Sequence, residues 1–456
     1  MEHIHLIGIG GTGLSAIARV LLESGYRVSG SDLEYSPLAG DVEAAGADVF
    51  VGHRADQVDG ADLVIRSSAV PDENVEVRAA REAGIPVMKR ADFLGQLMEG
   101  RRGVAVAGSH GKTTTSAMAA WTLTALDQDP GFIVGGVVTN LGTNAHAGDG
   151  PAFVIEADEY DYMFLGLQPE IAVVTNVEHD HPDMFPTVMA FRQAFREFVA
   201  LLPPEGTLLV CGDDPAAAEL ASHAPEGCAA LRYGLSDPAF DYFADELSSN
   251  NCGGFSAKVY RQGQRVAVLD LQVPGEHNVK NALATLAVVD RLGLSVQDAA
   301  EALGAFQGAG RRFEVLGEAE GIIVVDDYGH HPTEIRATLR AARQRYPNRR
   351  VWAVWQPHTY TRTKTLFDEF VHAFEDADNV VVTEVYRSRE PVDPAFSSLE
   401  VVKAMENQQT HFKASLSEAT AFLLEYLQAG DVVIVFSAGD ATEISAQVYS
   451  ALSQKS

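Results

Sequence analysis

Short apolar runs alternate with helix-patterned segments along most of the chain. Residues 4–7, 61–65 and 86–88 read as buried strands, with helical periodicity between them. They predict a small open α/β sheet over residues 1–97. Residues 90–99 pattern as a connecting helix, and 100–103 as a hinge. A second unit, 98–310, opens on the strand pattern 103–107 and continues with 153–155 and 171–175. Between 237 and 273 the pattern turns to antiparallel strands, with turns at 251–254 and 262–264, and a helix pattern follows over 279–292. A third unit, 311–456, alternates again: strands at 322–325, 351–355, 379–382 and 431–436, helices from Thr333 and Lys364. Alternation of this kind predicts α/β units with parallel sheets.

Two strand-to-helix junctions carry glycine-rich loops. Gly8-Ile9-Gly10-Gly11-Thr12-Gly13 follows the first strand. It matches G-x-G-x-x-G, and Asp32 stands about twenty residues on, poised for a ribose hydroxyl. The physics specifies only a diphosphate on a helix N-terminus, so both NAD and a UDP-sugar satisfy it. Gly108-Ser109-His110-Gly111-Lys112-Thr113-Thr114 follows the strand 103–107. Val106 stands where a strict Walker A has glycine, but Lys112 and the Thr113 or Thr114 hydroxyl suit a nucleoside triphosphate and magnesium. The expected fold class is therefore α/β in three domains. The N-terminal one is Rossmann-like, the central one a P-loop ATPase-type mixed sheet, and the C-terminal one Rossmann-like again.

Composition narrows the function classes. A net charge of −29 over 456 residues excludes a nucleic-acid groove and disfavours an anionic membrane surface. Phosphates must be held by local devices. No run approaches the ~20 apolar residues of a membrane span. The chain opens directly on a strand, so no signal peptide and a cytoplasmic location are expected. Cys211, Cys228 and Cys252 lack metal-ligand spacing and suit a reducing compartment.

Polar clusters close the later strands. Glu156-Ala157-Asp158-Glu159-Tyr160-Asp161 places four carboxylates beside the P-loop, too many for a core and suited to magnesium. Residues 176–181 end in Asp180 and His181. Glu156 and His181 are expected on adjacent strands. In the third unit, 326–334 and 356–362 bring His330, His331, His358 and Arg362 to strand ends, an expected anion-binding wall.

Together these motifs resemble the ATP-dependent Mur ligases of peptidoglycan synthesis. The resemblance covers essentially the whole chain and rests on 8–15, 67–70, 108–115, 156–161, 175–181, 275–282, 310–313, 326–334 and 358–362. It implies that Gly10, Gly11, Thr12, Gly13, Asp32, Ser67 and Ser68 bind UDP-N-acetylmuramate. Gly108, Ser109, His110, Gly111, Lys112, Thr113, Thr114, His277, Asn281 and Arg312 would bind ATP. Thr113, Glu156 and His181 would hold two magnesium ions. His331, His358 and Arg362 would face the lactyl carboxylate and the incoming amino acid. Lys112, His181, His331 and Arg362 would be catalytic. Within the family, the alanine-adding branch is implied, with L-alanine as acceptor. The runner-up is the branch that recycles preformed peptides. Several relatives use a carbamylated lysine after the His181 motif, but residues 185–202 hold no lysine. The implied chemistry runs through an acyl phosphate.

Overall fold

The computed structural model describes residues 2–405 and 409–454. Three sheets organise them. The first has five parallel strands: β1 (His3–Ile7), β2 (Arg27–Asp32), β3 (Asp48–Val51), β4 (Leu63–Arg66) and β5 (Val87–Lys89), in the order β3-β2-β1-β4-β5. Every residue of β1 is buried, as its central place requires. The chain reverses direction across the sheet at β1, and the first glycine loop leaves there. That is where ligands gather in open parallel sheets.

The central sheet has ten strands: β6 (Arg102–Ala107), β7 (Gly131–Val138), β8 (Thr143–His146), β9 (Ala152–Glu156), β10 (Ile171–Val174), β11 (Thr207–Cys211), β12 (Ala229–Gly234), β13 (Tyr242–Ser249), β14 (Phe255–Arg261) and β15 (Gln264–Asp270). The antiparallel stretch expected over 237–273 is β13 to β15. β6 lies between β10 and β9. Glu156 and His181 therefore follow strands on either side of the P-loop strand, not strands adjacent to each other. The hairpin of β7 and β8 escapes the sequence pattern. Its Gly135-Gly136 pair weakens the strand signature, and such glycines mark a close backbone approach.

The third sheet runs β16-β17-β21-β18-β19-β20. Its strands are β16 (Glu314–Ala319), β17 (Ile322–Asp327), β18 (Arg350–Trp355), β19 (Asn379–Val382), β20 (Gln409–Phe412) and β21 (Asp431–Phe436), with β16 antiparallel at the edge. β21 separates β17 from β18, so the two polar clusters flank one strand. The helix Pro332–Arg345 starts on a capping box of His331 and Glu334, with proline in its first turn. The helix expected from Lys364 begins earlier, at Tyr360, and breaks at Leu366 into two short pieces. The connector expected over 90–99 is likewise two pieces, Arg90–Leu94 and the 3-10 turn Gln96–Met98.

The joints between sheets differ in chemistry. One apolar core runs unbroken from Ile4, Leu6 and Ile17 to Phe153, Phe164 and Phe195, fusing the first sheet to one face of the second. The other face is covered by the helices Lys112–Ala125 and Glu276–Arg291. The third sheet keeps its own two cores, formed within residues 319–452. It meets the second sheet through side chains with charge. Among the described residues no helix is long and apolar enough to cross a membrane.

Candidate active site

The first loop is braced from below. The N–H groups of Gly8 and Ile9 donate to the Ser31 carbonyl at 2.7 and 3.1 Å. Gly10 N–H donates to Asp32 Oδ2 at 2.9 Å, and Ser36 Oγ donates to the Gly10 carbonyl at 2.9 Å. Asp32 Oδ1 accepts from Leu33 N–H at 2.8 Å. Asp32 therefore braces the loop through Oδ2, while Oδ1 holds the backbone of its own strand end. Gly11 caps the helix Thr12–Glu23 without a side-chain hydrogen bond, leaving first-turn N–H groups of Thr12 and Gly13 to an anion. Ser67 packs under Gly8, with Ser68 exposed beside it.

The second loop needs glycine twice for stated reasons. Gly108 has φ +138°, and a Cβ there would overlap Thr175 Oγ1. Gly111 has φ +82° and caps the helix Lys112–Ala125. Ser109 Oγ donates to the Glu178 carbonyl at 2.6 Å and accepts from Glu178 N–H at 2.8 Å. Lys112 Nζ donates to the Gly108 carbonyl at 2.6 Å and to Glu159 Oε2 at 2.8 Å. Glu159 is fully buried. Burial pushes its carboxyl up to about 7 while Lys112 pulls the other way. The acidic loop is thus no uniformly solvated cluster. One of its four carboxylates is the internal partner of the P-loop lysine. That role lay hidden in sequence because the run gives no sign of which acid turns inward.

Thr113 Oγ1 donates to Glu156 Oε1 at 3.0 Å, and Gly135 N–H donates to Glu156 Oε2 at 2.6 Å. The hairpin missed in sequence therefore fixes this carboxylate. His181 faces Glu159. Its Nε2 is 3.6 Å from Glu159 Oε1, its ring lies edge-on to Tyr160, and its backbone has φ +54°. Burial pulls its pKa down.

A cavity of about 610 Å³ opens beside the P-loop, lined by His110, Gly111, Thr114, His277, Asn281 and Arg312. All six were expected at ATP. Burial, with Lys280 nearby, brings His277 down to about 4, so its imidazole is neutral and free to exchange hydrogen bonds with a base. Arg312 pairs with Glu334 at 3.2 Å and lies 5.1 Å from the centre of the Tyr328 ring.

The third sheet closes on the second through a polar seam. Arg362 Nε donates to Asp180 Oδ1 at 2.9 Å, Nη1 meets His358 Nδ1 at 2.9 Å, and Nη2 meets His181 Nδ1 at 3.3 Å. Thr333 Oγ1 donates to Glu178 Oε1 at 2.8 Å. His110 sits between Glu178 (3.0 Å) and Glu334 (3.4 Å), with its ring 4.7 Å from that of His331. His331, His358 and Arg362 are thus brought together, but the guanidinium expected at the amino acid is already engaged by three protein groups. Glu178 and Glu334 lay within the motifs without a part of their own, and Asp180 was expected with His181 at a second metal or the substrate, yet all three hold the seam.

The seam carries a pH dependence. Burial alone would depress His110, but its bonds to Glu178 and Glu334 prevail and raise it to about 9. A folded value above the ordinary ~6.5 gives stabilisation that is complete below that pH and is lost as pH rises through the folded value. Between about pH 6 and 9.5 the melting-temperature advantage of the native chain over His110→Gln should shrink, by on the order of 3 kcal/mol in free energy. A constant gap would mean that His110 is uncharged.

Fold and site define a three-sheet enzyme architecture with a glycine loop on the first sheet and a P-loop beside the seam between the second and third. Three family models match in order: Mur ligase family, catalytic domain, at residues 3–102; Mur ligase middle domain at 106–289; and Mur ligase, glutamate ligase domain, at 311–439. The chain belongs to the Mur ligase family. It is 41% identical to the UDP-N-acetylmuramate–L-alanine ligase of Desulforamulus reducens, covering 100% of this chain and 98% of that one. The solved UDP-N-acetylmuramate-alanine ligase of Thermotoga maritima superposes with a TM-score of 0.83 at 30% identity, over 100% of both chains. A murein peptide ligase from Psychrobacter arcticus gives 0.73 at 28%, over 99% of both.

Proposed function

We propose that the chain is an ATP-dependent ligase joining L-alanine to the lactyl carboxylate of UDP-N-acetylmuramate. The observation that carries the proposal is the meeting of Lys112, the Thr113–Glu156 pair, His181 and the third-sheet histidines along one sheet edge. Both branches match over the full chain, but the alanine ligase superposes better, with a TM-score of 0.83 against 0.73 for the peptide ligase, which favours the alanine-adding branch. Residues 1–97 would carry the sugar nucleotide, 98–310 ATP, and 311–456 would close on both. An NAD reading of the first loop is disfavoured because it leaves Lys112 and the acidic and histidine clusters without a part.

The metal test rests on donor chemistry. A hydroxyl and a carboxylate 3.0 Å apart at a P-loop are hard oxygen donors of the kind magnesium takes, so Thr113 and Glu156 fit one ion. The resemblance puts His181 at a second ion, but it offers one imidazole nitrogen and its neighbour Glu159 is already paired with Lys112, so the donor set fits a second magnesium poorly. Magnesium supplies charge neutralisation of the triphosphate.

The lactyl carboxylate oxygen attacks the γ-phosphorus, ADP departs, and an acyl phosphate forms. The alanine nitrogen, after its ammonium has released a proton to water, attacks the acyl carbon; inorganic phosphate leaves the tetrahedral oxyanion and the amide nitrogen sheds its second proton to solvent. Lys112 offsets the repulsion between carboxylate and triphosphate. His331 Nδ1 accepts from Thr333 N–H at 3.3 Å, so the neutral ring carries its proton on Nε2. Burial and the neighbouring His110 bring this imidazole down to about 4, and its Nε2 is buried without a partner among the described residues. Such a group donates to a carboxylate or an oxyanion, and it is not placed to receive the proton of alanine's ammonium.

Phosphate release measured with UDP-N-acetylmuramate and a panel of acceptors tests the assignment. L-alanine should be fastest, and glycine and serine slower by about 1–3 kcal/mol in the barrier. Faster release with a tripeptide would move the chain to the recycling branch.

A further inference from the structure

The first phosphate loop contains no cation of its own: residues 8–18 include neither lysine nor arginine. A dianionic diphosphate in a protein of net charge −29 calls for one. The structure supplies it from elsewhere. Arg90, the first residue of the connector Arg90–Leu94, lays its guanidinium over Gly13, and a Cβ on Gly13 would overlap both Nη1 and Cζ. Gly13 is absent from the positive-φ glycines, so its backbone does not demand glycine. The guanidinium does.

Arg90 is poorly satisfied where it stands. Among the described residues its one side-chain hydrogen bond runs to the Met163 sulfur, a weak acceptor. Among the described residues it has no carboxylate oxygen within the 4.0 Å of an ion pair. Burial lowers its pKa, and Asp158 and Asp161 act on it only through the longer-range field. The backbone that carries it is held firmly. A Cβ on Gly166 would overlap the Ala91 carbonyl, and one on Gly95 the Gly166 carbonyl, so the connector lies backbone to backbone on the central domain.

We propose that Arg90 is a phosphate ligand of the first loop, clamping the sugar nucleotide's diphosphate against the N-terminus of the helix Thr12–Glu23, and that position 13 is glycine to let it through. This rests on the sugar-nucleotide reading of the first loop and adds the residue that reading lacks. The fork offers parallel N–H donors to two phosphate oxygens, which lysine cannot reproduce.

Isothermal titration of the full chain with UDP, UDP-N-acetylmuramate, UDP-N-acetylglucosamine and ATP tests it. Arg90→Ala should weaken all three uridine nucleotides alike, about 10- to 100-fold, and leave ATP within about twofold. Arg90→Lys should fall between, and it serves alone if the alanine variant does not fold. Gly13→Ala should weaken UDP in the native background and cost little more once Arg90 is gone, since both changes remove one contact. Undiminished UDP binding by either Arg90 variant would overturn the proposal. So would strictly additive losses, or a loss confined to UDP-N-acetylmuramate, which would place Arg90 at the lactyl group. If the native chain bound UDP-N-acetylmuramate but not UDP, the diphosphate clamp would fail while the ligase reading stood. If it bound no uridine nucleotide, both would fall together.

Discussion

Lys112→Ala is expected to lower ligase turnover about a thousandfold, because a lost transition-state contact of about 4 kcal/mol has that effect. The ammonium sits at the mouth of the helix Lys112–Ala125, one residue after Gly111, where the proposed triphosphate would lie. Its present partners are the Gly108 carbonyl and the buried Glu159. Loss of the lysine leaves that carboxyl without a countercharge. Its pKa already stands at about 7, so it can take up a proton instead of remaining a buried anion. The variant should therefore fold, with reduced stability. Adding Glu159→Gln should restore part of the melting temperature and none of the turnover. A folded Lys112→Ala with near-native phosphate release would remove Lys112 from the phosphate site.

What sequence could show follows from the range of the forces involved. Glycine loops are local: the positive φ of Gly108 and Gly111 is a demand of the loop's own backbone, so the motif alone located the P-loop. The strand-end clusters were legible for the same reason, each lying at the end of a continuous apolar run. Partnerships across the chain were not. Thr333 reaches Glu178 across 155 residues and Arg362 reaches Asp180 across 182. No local pattern distinguishes Glu159, with a lysine behind it, from Asp161 two positions on. The order β10-β6-β9 was equally out of reach, since strand adjacency is a property of the assembled sheet. The motif glycine Gly13 was visible, while the arginine that explains it was not.

Arg362→Ala should have the next largest effect, and for a reason set by the two kinds of joint. The first and second sheets share an apolar core, whereas the third is attached to the second by charge. Asp180 and Arg362 have side-chain exposures of 3% and 4%. Burial would raise the Asp180 carboxyl, but Arg362, with His181 and His330, holds it well below the usual carboxylate range. Removing one member of such a pair leaves a buried charge and costs roughly 3–5 kcal/mol. At that joint the cost falls on closure. The closed population should drop by two to three orders of magnitude, and kcat/KM with it. Small-angle scattering should show a larger radius of gyration, and UDP binding at the first loop should be unchanged. Asp180→Asn in the same chain should recover part of the closure by removing the stranded charge. The alternative role, a grip on alanine's carboxylate, predicts a different pattern: KM for alanine rises, while the scattering profile and the KM for ATP stay put. Because His358 and His181 already occupy two arms of the guanidinium, closure is the outcome expected to dominate.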